Sequence, residues 1–161
     1  MEKKSALPDD TDRVILQLLQ ANAFLTTKEI AAQTNLSVTP VYERIKRLER
    51  EGYIRQYTAL LDRRKIGLPL LVFCDVLLKE HNREFLQRFE ASVVELPEVL
   101  ECHHVTGEYD YLLKLAVADM DAYQFFIKEK LAALENIGRV QSHFVMTEVK
   151  HSTVLPVRGG V

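Results

Sequence analysis

The chain has 161 residues, 47% of them hydrophobic, and a formal net charge of −2. That is one large domain or two small ones with ample material for a core, and the charge excludes a polycation. No run of about 18 apolar residues is present to span a membrane and the N-terminus lacks a signal-peptide core, so a cytoplasmic protein is expected. Charge is unevenly spread. Residues 1–66 carry 12 Lys+Arg against 9 Asp+Glu, whereas residues 67–161 carry 9 against 14. A basic front and an acidic back point to a front that meets an anionic polymer. Cys74 and Cys102 lie in apolar runs and read as small buried hydrophobes of a reduced compartment, not as a disulfide pair.

Residues 1–8 are expected to fray. Asp9, Asp10 or Asp12 starts a first helix with negative charge at its N-terminus, and Val14, Ile15, Leu18 and Leu19 give it an apolar face. Residues 26–57, TTKEIAAQTNLSVTPVYERIKRLEREGYIRQY, are the most informative stretch. Thr26 and Glu29 have capping-box spacing for a short second helix. Asn35 tolerates the left-handed backbone of a tight turn, and Ser37 is a second cap. Pro40 falls in the first turn of a third helix, where its missing N–H matters little. Val41, Ile45 and Leu48 give that helix a buried stripe, and Thr39, Tyr42, Glu43, Arg44, Lys46, Arg47 and Arg50 occupy its other faces. Gly52 ends it. Residues 53–61 alternate and are expected to pair as a β-wing, with Ile54 inward. A short helix, a tight turn and a second helix with a polar, basic outer face is the form in which a protein enters the DNA major groove. A helical hairpin with a solvated charged face is the plainer alternative.

Residues 62–67 read as a linker. After it come an apolar strand over 68–79, a helix from Asn82 through Leu96, a strand over 98–106 and a turn at 107–110. A strand over 111–117, a helix starting at Asp119 or Asp121, and a final strand over 140–150 complete the chain, with a short edge strand expected at 153–157. This β-α-β-β-α-β order is the ferredoxin-like arrangement, with both helices on one sheet face. Leu71, Phe73, Leu113 and Phe144 are expected to make the other face apolar as well, and a homodimer is the simplest way to bury it. The fold class is therefore α+β, with a winged helix-turn-helix domain at 1–61 and a ferredoxin-like domain at 68–161.

The front segments Leu36-Ser37-Val38-Thr39-Pro40-Val41, Arg44-Ile45-Lys46-Arg47-Leu48-Glu49 and Gly52-Tyr53-Ile54 resemble those of the Lrp/AsnC (leucine-responsive, feast–famine) transcription regulators. So do Val105-Thr106-Gly107-Glu108-Tyr109-Asp110-Tyr111 and Val145-Met146-Thr147-Glu148-Val149-Lys150 at the back. The likeness covers nearly the whole chain. Two departures fall at the expected effector site. Glu108 stands where the family commonly has aspartate, and Val140 and Ser142 replace a Thr-x-Thr pattern.

The resemblance implies a sequence-specific regulator that binds double-stranded DNA, is modulated by an amino acid such as leucine, and forms homodimers assembling into an octamer-type ring. It implies that Ser37, Thr39, Pro40, Tyr42, Glu43, Arg44, Lys46 and Arg47 lie near DNA. It also implies an effector site from Thr106, Gly107, Tyr109 and Asp110, with Met120, Gln141, Ser142 and His143, some of these from a neighbouring copy. Asp110 would accept the ammonium group, and amides around Gly107 would meet the carboxylate. The plainer reading is a β-hairpin in which Asp110 bonds its own turn. An architectural DNA-binding protein with little effector control is the alternative function. No glycine-rich phosphate loop or local Ser/His/Asp set suggests an enzyme, and no cofactor is expected. Cys102, His103, His104 and His143 lack the spacing of a metal site and read as packing residues.

Overall fold

The computed structural model describes residues 7–157; most of the stretch expected to fray lies outside them. Three helices come first: α1 (Asp10–Ala21), α2 (Thr27–Thr34) and α3 (Val38–Arg50). Asp9 caps α1 in a capping box whose N3 residue is Asp12, and Thr26 caps α2 in a box with Glu29. Asn35 takes the left-handed conformation between α2 and α3 (φ 54°). Ile15, Leu19, Ile30, Ala31, Val41 and Leu48 form the core of this unit, and Ile54 packs against it as expected.

The wing carries no β ladder. Residues 55–61 run without regular structure and are exposed, because no strand among the described residues lies alongside to pair with them. The expected edge strand at 153–157 is also absent. Residues 150–157 group with residues 7–59 as one compact unit, and residues 60–149 form the other. The backbone N–H of Leu155 donates to the Gln20 side chain (2.7 Å), which donates back to the Leu155 carbonyl (3.1 Å); Gln17 donates to the Val157 carbonyl (3.2 Å). Side-chain amides on α1 thus take the place of a strand neighbour.

The second unit is a four-stranded antiparallel sheet in the order β2-β3-β1-β4, with β1 (Leu70–Leu78), β2 (Val99–His104), β3 (Tyr111–Val117) and β4 (Ile137–Phe144). The helix α4 (Arg83–Val93) follows β1 and is capped by Asn82. The helix α5 (Met120–Phe125), capped by Asp119, runs directly into a π-helical turn, Phe126–Leu131. This is the expected β-α-β-β-α-β order. The last strand sits earlier than expected. Phe144 already pairs with Val72, close to the start of β1, and one further bond, Val145 N–H to Leu71 O at 3.0 Å, uses up the ladder. At its other end, Gly138 lets β4 approach a register shift in β1; a Cβ there would sit 3.0 Å from the Leu77 carbonyl oxygen.

Strand parity divides the sheet into two faces. Val72, Cys74, Val76, Leu78, Leu113 and Leu115 face the helices and pack with Phe89, Val93, Tyr111, Phe126 and Leu131. Leu113 and Phe144 therefore do not belong to the open face as expected. Their partners in register are Cys74 and Val72, and the Phe144 ring meets Tyr123 edge-on. The open face carries the half-buried Phe73 and Leu112 at its centre, among Lys114, Glu101, Asp75 and His143, while Leu71 on the same face is already covered within the chain, 3% exposed. Among the described residues no helix is long and apolar enough to cross a membrane.

Candidate functional site

The helix-turn-helix surface is built by α3. Val41 and Leu48 bury one side, so the helical repeat turns Thr39, Glu43, Lys46 and Arg50 outward. Ser37, Thr39, Pro40, Tyr42, Glu43 and Lys46 are all exposed. Ser37 stands at the N-cap position, but its side chain makes no capping bond, which leaves the hydroxyl and the first amides of α3 facing solvent. Lys46 bonds Glu49 (2.7 Å) and lies over the Tyr42 ring. Tyr57 donates to Glu49 (3.1 Å); burial first, and then the carboxylate, push its phenol up to about 12.

Arg44 and Arg47 are placed differently. Arg44 donates to Asp9 (2.6 Å) and to Asp12 Oδ1 (2.8 Å), and Arg47 donates to Asp12 Oδ2. Among the described residues Asp12 is the one buried charged side chain, 1% exposed. The same carboxylate accepts the Asp9 backbone N–H (3.1 Å), so one group closes the capping box of α1 and fastens two arginines of α3. The Asp12 amide, ahead of Arg44, holds the Asp9 carboxyl below its ordinary range; Asp9 and then Asp12 raise Arg44. Sequence reasoning missed Asp9 and Asp12 as partners. Their spacing signalled a cap, but nothing local signalled the helix crossing.

The second candidate site is the β2–β3 hairpin. Gly107 takes φ 130°, and a Cβ there would meet nothing within 4 Å, so its backbone is open to approach. Thr106 is exposed beside it. Asp110 is stitched into the sheet: its N–H donates to Val76 O (2.9 Å), and its Oδ2 takes the Leu78 N–H (2.7 Å) and lies 3.1 Å from His81 Nε2. On the open face, Tyr109 donates to Gln141 (2.7 Å), Gln141 lies 3.4 Å from His143, and His143 lies 2.9 Å from Asp75. The structure thus brings Tyr109, Gln141 and His143 together. Ser142 points the other way, to Cys74 and Tyr123 under the helices. Met120 opens α5 beyond the far end of β3, about 20 Å along the strand from Asp110 by strand rise. Of the residues considered for a metal, Cys102 packs against the core, His104 stacks on Tyr111, and His103 pairs with Glu101.

A family model described as the Lrp/AsnC ligand binding domain matches residues 71–155, and one described as winged helix-turn-helix DNA-binding matches residues 8–55. The chain belongs to the Lrp/AsnC family. Its relatives in that family include the leucine-responsive regulatory protein of Salmonella typhimurium, 40% identical over 150 residues, 93% of this chain and 92% of that protein. The DNA-binding transcriptional activator DecR of Escherichia coli is 40% identical over 149 residues, 92% of this chain and 98% of its own length. A Neisseria meningitidis transcriptional regulator, crystallised as its L-Met complex, superimposes with a TM-score of 0.88 at 41% identity and covers 93% of this chain and 97% of its own. This Lrp/AsnC protein is a DNA-binding transcriptional regulator with a ligand-binding domain.

Proposed function

We propose that its DNA binding is modulated by an amino acid with an apolar side chain, taken at the hairpin of Thr106, Gly107, Tyr109 and Asp110. The observation that carries this reading is the Neisseria regulator with L-Met, at 41% identity over almost the whole chain. The open backbone at Gly107 suits a carboxylate, and Asp110 is the nearby counter-charge for an ammonium group. Gln141 and His143, on the open face with Tyr109, are proposed to complete the pocket, from the same or a neighbouring copy, and Met120 to line its side-chain end; Ser142, turned under the helices, is left out. The separation of Met120 from Asp110 along one chain, about 20 Å by strand rise, favours a site shared between copies. The apolar centre of the open sheet face, flanked by the Lys114–Glu101 ion pair and the Asp75–His143 contact, suits a homodimer interface, and an octamer-type ring of such dimers is the proposed assembly. On the other unit, Ser37, Thr39, Pro40, Tyr42, Glu43 and Lys46 are proposed to face DNA, with Arg44 and Arg47 alongside.

A thermal-shift screen of the twenty amino acids, followed by calorimetry on Asp110→Asn, tests the effector reading. The amide keeps the shape and the bond from Leu78, and removes the charge. Folding and DNA binding should persist while the effector is lost, because an ammonium buried without its counter-charge is destabilised by several kcal/mol. Unchanged ligand affinity would make Asp110 a turn residue only.

A further inference from the structure

The sequence of α3 looks strongly basic, with Arg44, Lys46, Arg47 and Arg50. In the folded unit most of that charge is already cancelled. Glu49 takes Lys46, and Asp9 and Asp12 take Arg44 and Arg47. Arg50 is exposed, and no ion-pair partner holds it among the described residues. A helix that neutralises few phosphates displaces few counterions, and counterion release is the main source of sequence-independent affinity.

We propose that Asp12 is a specificity-determining residue: it holds Arg44 and Arg47 against α1, so that neither guanidinium neutralises a DNA phosphate, and non-specific binding stays weak. The geometry explains why a phosphate does not take the arginines away. Asp12 is 1% exposed, and both of its oxygens are occupied by guanidinium groups. Withdrawing either arginine would leave a buried carboxylate short of its partner, which is far more unfavourable than an exposed phosphate contact is favourable. Asp12 also closes the capping box of α1, so the holding carboxylate cannot swing out without opening the first turn of that helix. Discrimination then rests on hydrogen bonds and shape along Thr39, Glu43 and Lys46 rather than on bulk charge. This inference rests on the outward face of α3 being the DNA-facing surface.

The test measures binding to a duplex of random sequence at several salt concentrations, using the full chain. Asp12→Asn frees Arg47, whereas Arg44 keeps its pair with Asp9. It should bind that duplex several-fold more tightly at low salt, and its log K against log salt should steepen by roughly 0.9, for one phosphate newly neutralised. Adding Arg47→Met to that variant should return the gain. Arg44→Met with Arg47→Met, combined with Asp12→Asn so that no buried carboxylate is stranded, keeps the alkyl stems and should leave the slope at the parent's value. This triple variant decides the matter even if Asp12→Asn alone, with Arg47 left unpaired, unfolds the helices. A slope that falls by nearly two in the triple variant overturns the proposal, as does an unmoved slope in a folded Asp12→Asn protein. Arg50→Ala separates the underlying reading: its slope should fall by about one. If Arg50→Ala and Lys46→Ala both bind like the parent, α3 does not face DNA, and the surface assignment and the role of Asp12 fall together.

Discussion

In the sheet unit, Val72, Cys74, Val76, Leu78, Leu113 and Leu115 meet Phe89, Tyr111, Phe126 and Leu131 in one continuous apolar layer. In the helical unit the buried cluster is Ile15, Leu19, Ile30, Ala31, Val41 and Leu48, smaller in number and in side-chain volume. The helices make up the shortfall with polar devices: two capping boxes, the Asp12 pairs to Arg44 and Arg47, and the Glu49 bonds to Lys46 and Tyr57. Small units bury a smaller fraction of their surface and rely more on such interactions. The two halves should therefore respond to different perturbations, the sheet unit to loss of volume and the helical unit to loss of charge.

The largest expected effect is in the sheet unit. Phe126 is fully buried at the start of the π-helical turn, and Phe126→Ala should destabilise that unit by about 3–5 kcal/mol. A denaturant titration followed by amide hydrogen exchange should place the loss in β1, β3 and α4, with protection in α1–α3 much less affected. An equal loss in both units would break the comparison.

Acid should act in the opposite order. The Asp9 carboxyl is held down chiefly by the Asp12 amide, Glu29 by the Thr26 amide and Glu49 by Lys46, while in the sheet unit Glu101 is lowered chiefly by Lys114. Each of these carboxylates has a folded pKa below its unfolded value of 3.8 for Asp or 4.5 for Glu. Their contribution is present in full above those values and drains away as pH falls through the lowered folded ones. Hydrogen exchange between neutral pH and pH about 3, where this linkage applies, should show protection in α1–α3 falling before protection in the sheet. Simultaneous loss would mean that the lowered carboxylates of the helical unit do not govern its acid response.

The smallest effect sharpens the comparison at one residue. Thr26→Ala removes the side chain that accepts the Glu29 N–H and also bonds its carboxylate, and it should lower the stability of the helical unit by about 1 kcal/mol. The loss should appear as faster exchange in α2. Glu29 should also titrate closer to its ordinary value, which NMR of the side-chain carboxyl would report.

Features set by a few adjacent residues could be read from the sequence: the Thr26 box, the left-handed Asn35, the Asn82 and Asp119 caps and the β-α-β-β-α-β order. The parity of β4 was readable too, since a strand cannot turn Gln141, Ser142 and His143 to one face, yet the expected site grouped all three. Other features depended on tertiary neighbours. Residues 145–150 carry no turn signal after Phe144, so the sequence did not mark where the pairing with β1 stops. Arg44 and Arg47 have the same composition as solvated surface charges, and only the crossing of α1 and α3 brings Asp12 to them. For the candidate effector hairpin, Gly107 signalled an open backbone, but nothing in the sequence indicated that Asp110 would be bonded to the end of β1.

The contact between Gln20 and Leu155 has a consequence for synthesis. The three helices leave the ribosome ahead of the sheet unit, yet Gln20 meets its backbone partner only after 135 further residues have been added. The three helices can gather around their core early, while the side-chain amides on α1 remain bound to water. The unit that carries the helix-turn-helix is thus begun before the sheet unit and completed after it, and a chain cut short of Leu155 differs at the surface of α1.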